Sequence, residues 1–78
     1  MNVTEFILAI EPELREADER PFAADTVLRD LPNWSSMLAL LIIARVDDLY
    51  GVQISASEFA RIRTLGDLHH HVSQHLPA

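Results

Sequence analysis

Leu31-Pro32-Asn33-Trp34-Ser35-Ser36-Met37 leads into a long apolar run, Leu38 to Tyr50, in a chain of 78 residues. Ser35 is a good N-cap at that junction. Its side-chain oxygen accepts a bond from a first-turn N–H that has no partner within the helix. Ser36 then falls in the first turn, its hydroxyl near solvent and beside the positive end of the helix dipole. A phosphate ester on that hydroxyl would sit in a favourable place for an anion. The pattern predicts a helix from Ser36 to about Tyr50, with Gly51 as the C′ residue.

At about 100° per residue, Ala39, Ile42, Val46, Leu49 and Tyr50 share one face of this helix. The opposite side carries Ser36, Met37, Leu40, Ala44, Asp47 and Asp48, with Leu41 and Ile43 flanking. Both sides are largely apolar, and a domain this small can fully bury only one. An excess of exposed apolar surface is therefore expected beside Ser36. Met37, Leu40, Leu41 and Ala44, edged by Asp47 and Asp48, are the candidate partner face. Trp34, just before the cap, is expected to pack against the following turn as a hydrophobic staple.

Elsewhere the signals are local. Asn2 can cap a first helix, with Glu5 in capping-box spacing, and Val3, Phe6, Ile7 and Ile10 fall on one face. Pro12 cannot donate the bond that a continuing helix needs, so a stop or kink near Ile10 to Glu11 is preferred over a short second piece from Pro12 through Leu14 and Ala17. Glu13 to Asp30 reads mostly as an acidic connection with Arg15, Arg20 and Arg29 interspersed. Leu28 and Leu31 are its expected buried tethers. A loop this long must pack down or have a role. Ser55-Ala56-Ser57-Glu58 is a capping box for a short helix, roughly Ala56 to Ile62, that buries Phe59 and Ile62. Thr64 caps a last helix with Leu65, Leu68 and Val72 inside, and Pro77 stops it.

Twelve acids against six arginines give a formal net charge of −6, and lysine is absent. No basic stripe is available to displace counterions, so nucleic acid is not expected as a partner. Partners with basic docking patches are favoured instead. Cysteine is absent, which excludes disulfides and thiolate metal sites. No apolar run reaches the length of a membrane span, because Asp47 and Asp48 interrupt the longest. Met1-Asn2-Val3-Thr4-Glu5 lacks the basic start of a secretory signal. A cytoplasmic monomer forming a single domain over residues 1–78 is the expectation.

Catalysis is disfavoured. A nucleophilic serine needs a base and an orienting group, and no Gly-x-Ser-x-Gly elbow surrounds Ser36. His71 and His75, four apart, could face one metal ion. With only Asp67 as a nearby carboxylate they lack a full ligand set, so no metal site is expected. Ser36 reads better as a substrate of another enzyme.

Three stretches carry a family resemblance. Trp34-Ser35-Ser36-Met37 ahead of an apolar helix resembles the Asp-Ser-Leu motif of acyl carrier proteins, in the variant with Trp one place before the Asp. Tyr50-Gly51-Val52-Gln53-Ile54-Ser55 resembles the family's aromatic-Gly-Val-x-Ile-Ser exit from its second helix. Arg63-Thr64-Leu65-Gly66-Asp67-Leu68 resembles the Thr-Val-Gly-Asp-Leu start of its last helix, and Thr26 to Leu31 resembles the close of its long first loop. The resemblance implies an all-α four-helix bundle of the acyl-carrier type, with three longer helices, one short helix and a long first loop. It also implies a 4′-phosphopantetheine arm, derived from coenzyme A, on Ser36. The arm would hold acyl or aminoacyl groups as thioesters. The implied partners are a phosphopantetheinyl transferase and acyl-loading and acyl-processing enzymes of fatty acid or polyketide biosynthesis. The rival reading is a helical interaction module of the same fold with no arm.

The sequence departs from that pattern in three ways. Ser35 stands where the family has Asp, Met37 replaces the usual Leu, a swap easy by volume, and the second helix carries only Asp47 and Asp48. Eight of the twelve acids precede Ala39. A dedicated pathway with a more hydrophobic docking surface fits these departures better than generic fatty-acid enzymes do.

Overall fold

The computed structural model describes residues 2–19 and 21–77. It is an all-α bundle: α1 (Val3–Leu14), α2 (Ser36–Tyr50), the short α3 (Ala56–Phe59) and α4 (Leu65–Gln74). The long first loop contains a 3-10 turn at Leu28–Asp30. Arg20 lies outside the described residues.

Each helix begins where a side chain can accept its orphan N–H groups. Asn2 Oδ1 accepts from the Glu5 N–H at 2.8 Å, and Ser35 Oγ accepts from the Leu38 N–H at 3.2 Å. Ser55 and Thr64 head full capping boxes with Glu58 and Asp67. Helix α2 ends at Gly51, whose φ of 68° is the left-handed conformation that a Cβ would strain.

Helix α1 does not stop at Ile10 or Glu11. It runs on through Pro12 to Leu14, and the Arg15 N–H still reaches the Glu11 carbonyl at 2.9 Å. Proline in a helix interior costs about 3 kcal/mol. Continuing brings Leu14 to full burial, with Ala17 buried in the turn beyond, and burying one such leucine returns about 1.5–3 kcal/mol. Glu11 also pairs with Arg15 across the last turn. Burial of Leu14 and Ala17 thus offsets much of the local break. In the other direction, α3 is shorter than expected. After Phe59 the chain turns, although Phe59 and Ile62 are both buried as anticipated.

The core joins Phe6, Ile10 and Leu14 of α1 to Ile42 and Val46 of α2 and Leu65, Leu68 and Val72 of α4. Leu28 and Leu31 anchor the first loop beneath them, as expected. The loop is fastened to the start of α4 by the backbone. Leu28 N–H bonds Arg63 O at 3.0 Å, Leu65 N–H bonds Thr26 O at 3.0 Å, and Gly66 N–H bonds Ala24 O at 2.8 Å. A Cβ at Gly66 would lie 3.0 Å from that same Ala24 oxygen, so glycine permits the approach. On α2 the buried row is Leu38, Ile42 and Val46, a ridge of fourth neighbours. Leu49, placed on the inner face from the sequence, lies in the last turn and stays 42% exposed.

The two capping boxes make a pH prediction. The Ser55 N–H and then its hydroxyl hold the Glu58 carboxyl below its ordinary value. The Thr64 N–H leads in doing the same for Asp67. Folded values below unfolded ones mean that protons go first to the unfolded chain. The contribution is complete above the ordinary carboxylate range and is lost as pH falls through that range towards the lower folded values. Urea midpoints followed from about pH 6 to pH 2 should fall less steeply for Glu58→Gln/Asp67→Asn than for the parent. An identical pH slope would show that the caps do not titrate with folding.

Candidate functional site

Ser36 is the first residue of α2 and is exposed. The capping duty belongs to Ser35, in extended backbone at φ −149° and ψ 165°. Ser35 O also accepts the Ala39 N–H at 3.1 Å. The Ser36 and Met37 N–H groups precede the first intrahelical bond and point out of the helix's positive end. An ester on Ser36 Oγ leaves the Ser35 cap intact.

Ser36 opens onto a groove of about 290 Å³ between α2 and α3. Trp34, Ala39, Leu40, Ile43 and Phe59 line it, together with Arg29. Trp34 packs against the core, and its ring also stacks on Phe59 of α3. The two rings stack at 6.2 Å between centroids and 4° between planes. Arg29 secures the far ring. Its Nη2 donates to Phe59 O at 3.0 Å and its Nη1 to Ile62 O at 2.5 Å, while Cζ lies 5.9 Å from the Phe59 ring centre. Those bonds satisfy carbonyls where α3 ends.

The candidate partner residues lie together on the outside of α2. Met37 is 67%, Leu40 57% and Leu41 45% exposed, and Ala44, Asp47 and Asp48 are exposed too. Helix α3 therefore leaves Met37 and Leu40 largely uncovered. Arg45 on the same helix is held between Glu13 of α1 at 3.6 Å and Asp48 at 3.8 Å.

A family model described as a phosphopantetheine attachment site matches residues 7–72 of this chain. The chain belongs to that family. Its members carry 4′-phosphopantetheine covalently and are carriers, not enzymes, which work with a phosphopantetheinyl transferase and with partner enzymes. No curated protein and no solved structure matches the chain. The residues of this chain fit such a group: an exposed hydroxyl at a helix start, beside a largely apolar groove. No helix among the described residues is long and apolar enough to cross a membrane.

The histidines of α4 divide between two environments. His69 meets Phe6 edge-on at 5.7 Å. His71 stacks on His75 at 4.3 Å and lies 3.7 Å from Glu58 of α3. The His75 Nδ1 and the His71 carbonyl are 2.8 Å apart, which suits an N–H donor on that nitrogen. Among the described residues no three His, Asp or Glu side chains converge to hold a metal ion, and none of the histidines lines the groove beside Ser36.

Arg29 and Phe59 were not anticipated as site residues. Phe59 was expected only as core. The Arg29 bonds span 30 and 33 residues of sequence, and no local spacing signals a contact of that range.

Proposed function

We propose that Ser36 carries the 4′-phosphopantetheine arm of a single carrier domain spanning residues 1–78. The observation that supports this best is the division of labour at the start of α2. Ser35 holds the cap, which leaves the exposed Ser36 hydroxyl open to modification. In this reading Ser36 Oγ attacks the phosphorus that bears the pantetheine in coenzyme A. The pyrophosphate P–O bond breaks, the adenosine bisphosphate leaves, and the serine proton passes to the transferase. The protein does no further chemistry. The thiol of the arm holds an acyl or aminoacyl group as a thioester and presents it to successive enzymes. The test is mass spectrometry of the protein before and after incubation with coenzyme A and a broad-specificity transferase. A protein that never gains the arm is an interaction module of the same fold.

Met37, Leu40, Leu41 and Ala44, bordered by Asp47 and Asp48, are the proposed docking face of a cytoplasmic monomer. The uncovered apolar side chains support it, because a monomer seldom leaves so many together without use. Ser35 in place of an acid, and so few acids on α2, favour a specialised biosynthetic pathway. Leu41→Glu should leave the circular dichroism spectrum and melting temperature close to those of the parent. Substitutions at exposed positions usually stay within about 0.5 kcal/mol. Transfer from the cognate loading enzyme should fall about tenfold or more, as for loss of one good interface anchor. A variant that unfolds would make Leu41 part of the core and remove it from the docking face.

A further inference from the structure

We propose that Arg29 is a positioning residue for the prosthetic arm. Its guanidinium is the cation that draws the phosphodiester on Ser36 towards the groove, so that the arm has the apolar wall of Trp34, Leu40 and Ile43 to lie on. This rests on Ser36 being the attachment point. Ser36 and Arg29 line the same groove, and Arg29 is the one charged side chain among its lining residues. The chain as a whole carries a net charge of −6, so a new phosphodiester meets a generally repulsive field. At the groove, Arg29 adds a full positive charge to the partial positive end of α2.

The guanidinium is held in place before any arm arrives. Nη1 donates to Ile62 O and Nη2 to Phe59 O, at 2.5 and 3.0 Å. These bonds use one N–H on each nitrogen, and a guanidinium has five. Donors therefore remain for phosphate oxygens, with which arginine forms strong charge-assisted bonds. The same side chain lies over Phe59, and Phe59 stacks on Trp34. Cation and aromatic wall are thus joined through Phe59. Arg29 lies just inside the first loop's tethers, Leu28 and Leu31, which are both buried, so its backbone is anchored as well.

The test compares parent, Arg29→Lys and Arg29→Gln, each unmodified and loaded from coenzyme A by one transferase, with loading verified by mass. The quantity read is the melting temperature of the loaded form minus that of the unmodified form, at low and high salt. The emission of Trp34, the only tryptophan in the sequence, is read alongside. In the parent, loading should raise the melting temperature by roughly 2–5 °C at low salt, the scale of one exposed ion pair in a domain this small. The gain should shrink in high salt, and the Trp34 emission should shift. Arg29→Lys keeps the charge and should keep most of the gain, although losing the fork to α3 lowers both its forms. Arg29→Gln should lose the gain and the emission shift. An equal gain in all three proteins would overturn the proposal, because Arg29 would then only fasten α3. If Arg29→Gln does not fold, a parental gain that ignores salt overturns it equally. Failure of the parent to load is seen in the mass spectrum and counts against Ser36 instead.

Discussion

Ser36→Ala should take up no phosphopantetheine from coenzyme A, while Ser35→Ala is still modified but melts at a lower temperature. The two adjacent serines differ only in what α2 asks of them. Ser35 is in extended backbone outside the helix and accepts the Leu38 N–H. Its loss as a cap costs about 0.5–2 kcal/mol, which in a domain of this size lowers the melting temperature by several degrees. Ser36 is already helical and its hydroxyl has no hydrogen-bond partner among the described residues, so alanine there is neutral or slightly stabilising. One variant thus loses modification and keeps stability, and its neighbour does the reverse. The measurements are an intact mass after transferase treatment and a thermal melt of each protein. Arm attachment that survives Ser36→Ala would end the assignment, and an unchanged melt for Ser35→Ala would show that the cap is redundant.

The helix starts were legible because capping is written within three residues. Asn2, Ser35, Ser55 and Thr64 each cap the helix that their spacing announced, and Gly51 closes α2 as expected. What misled was every point where a distant group decides the outcome. Pro12 reads as a breaker, yet the burial of Leu14 and Ala17 carries the chain past it. Leu38 and Leu49 are both apolar on α2, and periodicity about Ile42 accommodates either. Only the packed bundle shows that the buried ridge begins at Leu38. For the candidate site, the exposure of Ser36 and of the apolar outer face was legible, since it follows from having two apolar sides on one helix. The sequence could not locate the Arg29–Phe59–Trp34 stack, whose members come from the first loop, α3 and the approach to α2.

The other large expected effect lies in the core, away from the proposed attachment point. Phe6 is fully buried. Its ring contacts Tyr50, at the end of α2, at 5.7 Å and His69 of α4 at the same distance. Truncating a buried phenylalanine to alanine typically costs about 3–5 kcal/mol, through lost transfer energy and the cavity left behind. A chain of this length has only about 4–12 kcal/mol to lose. Phe6→Ala should therefore shift the urea midpoint far towards zero with little change in slope. Leu8→Ala, on the same helix but 62% exposed, should change stability by no more than about 0.5 kcal/mol. Ser36 and Tyr50 sit at opposite ends of α2, about 20 Å apart at 1.5 Å per residue. In the cold, where Phe6→Ala is still folded, its Ser36 should thus be modified at the parental rate. A loss below about 1 kcal/mol would mean that the ring is not the joint between α1, α2 and α4 that its burial implies. A normal loss of stability with slowed modification, measured on fully folded protein, would mean that the state of the core reaches the start of α2 along the helix.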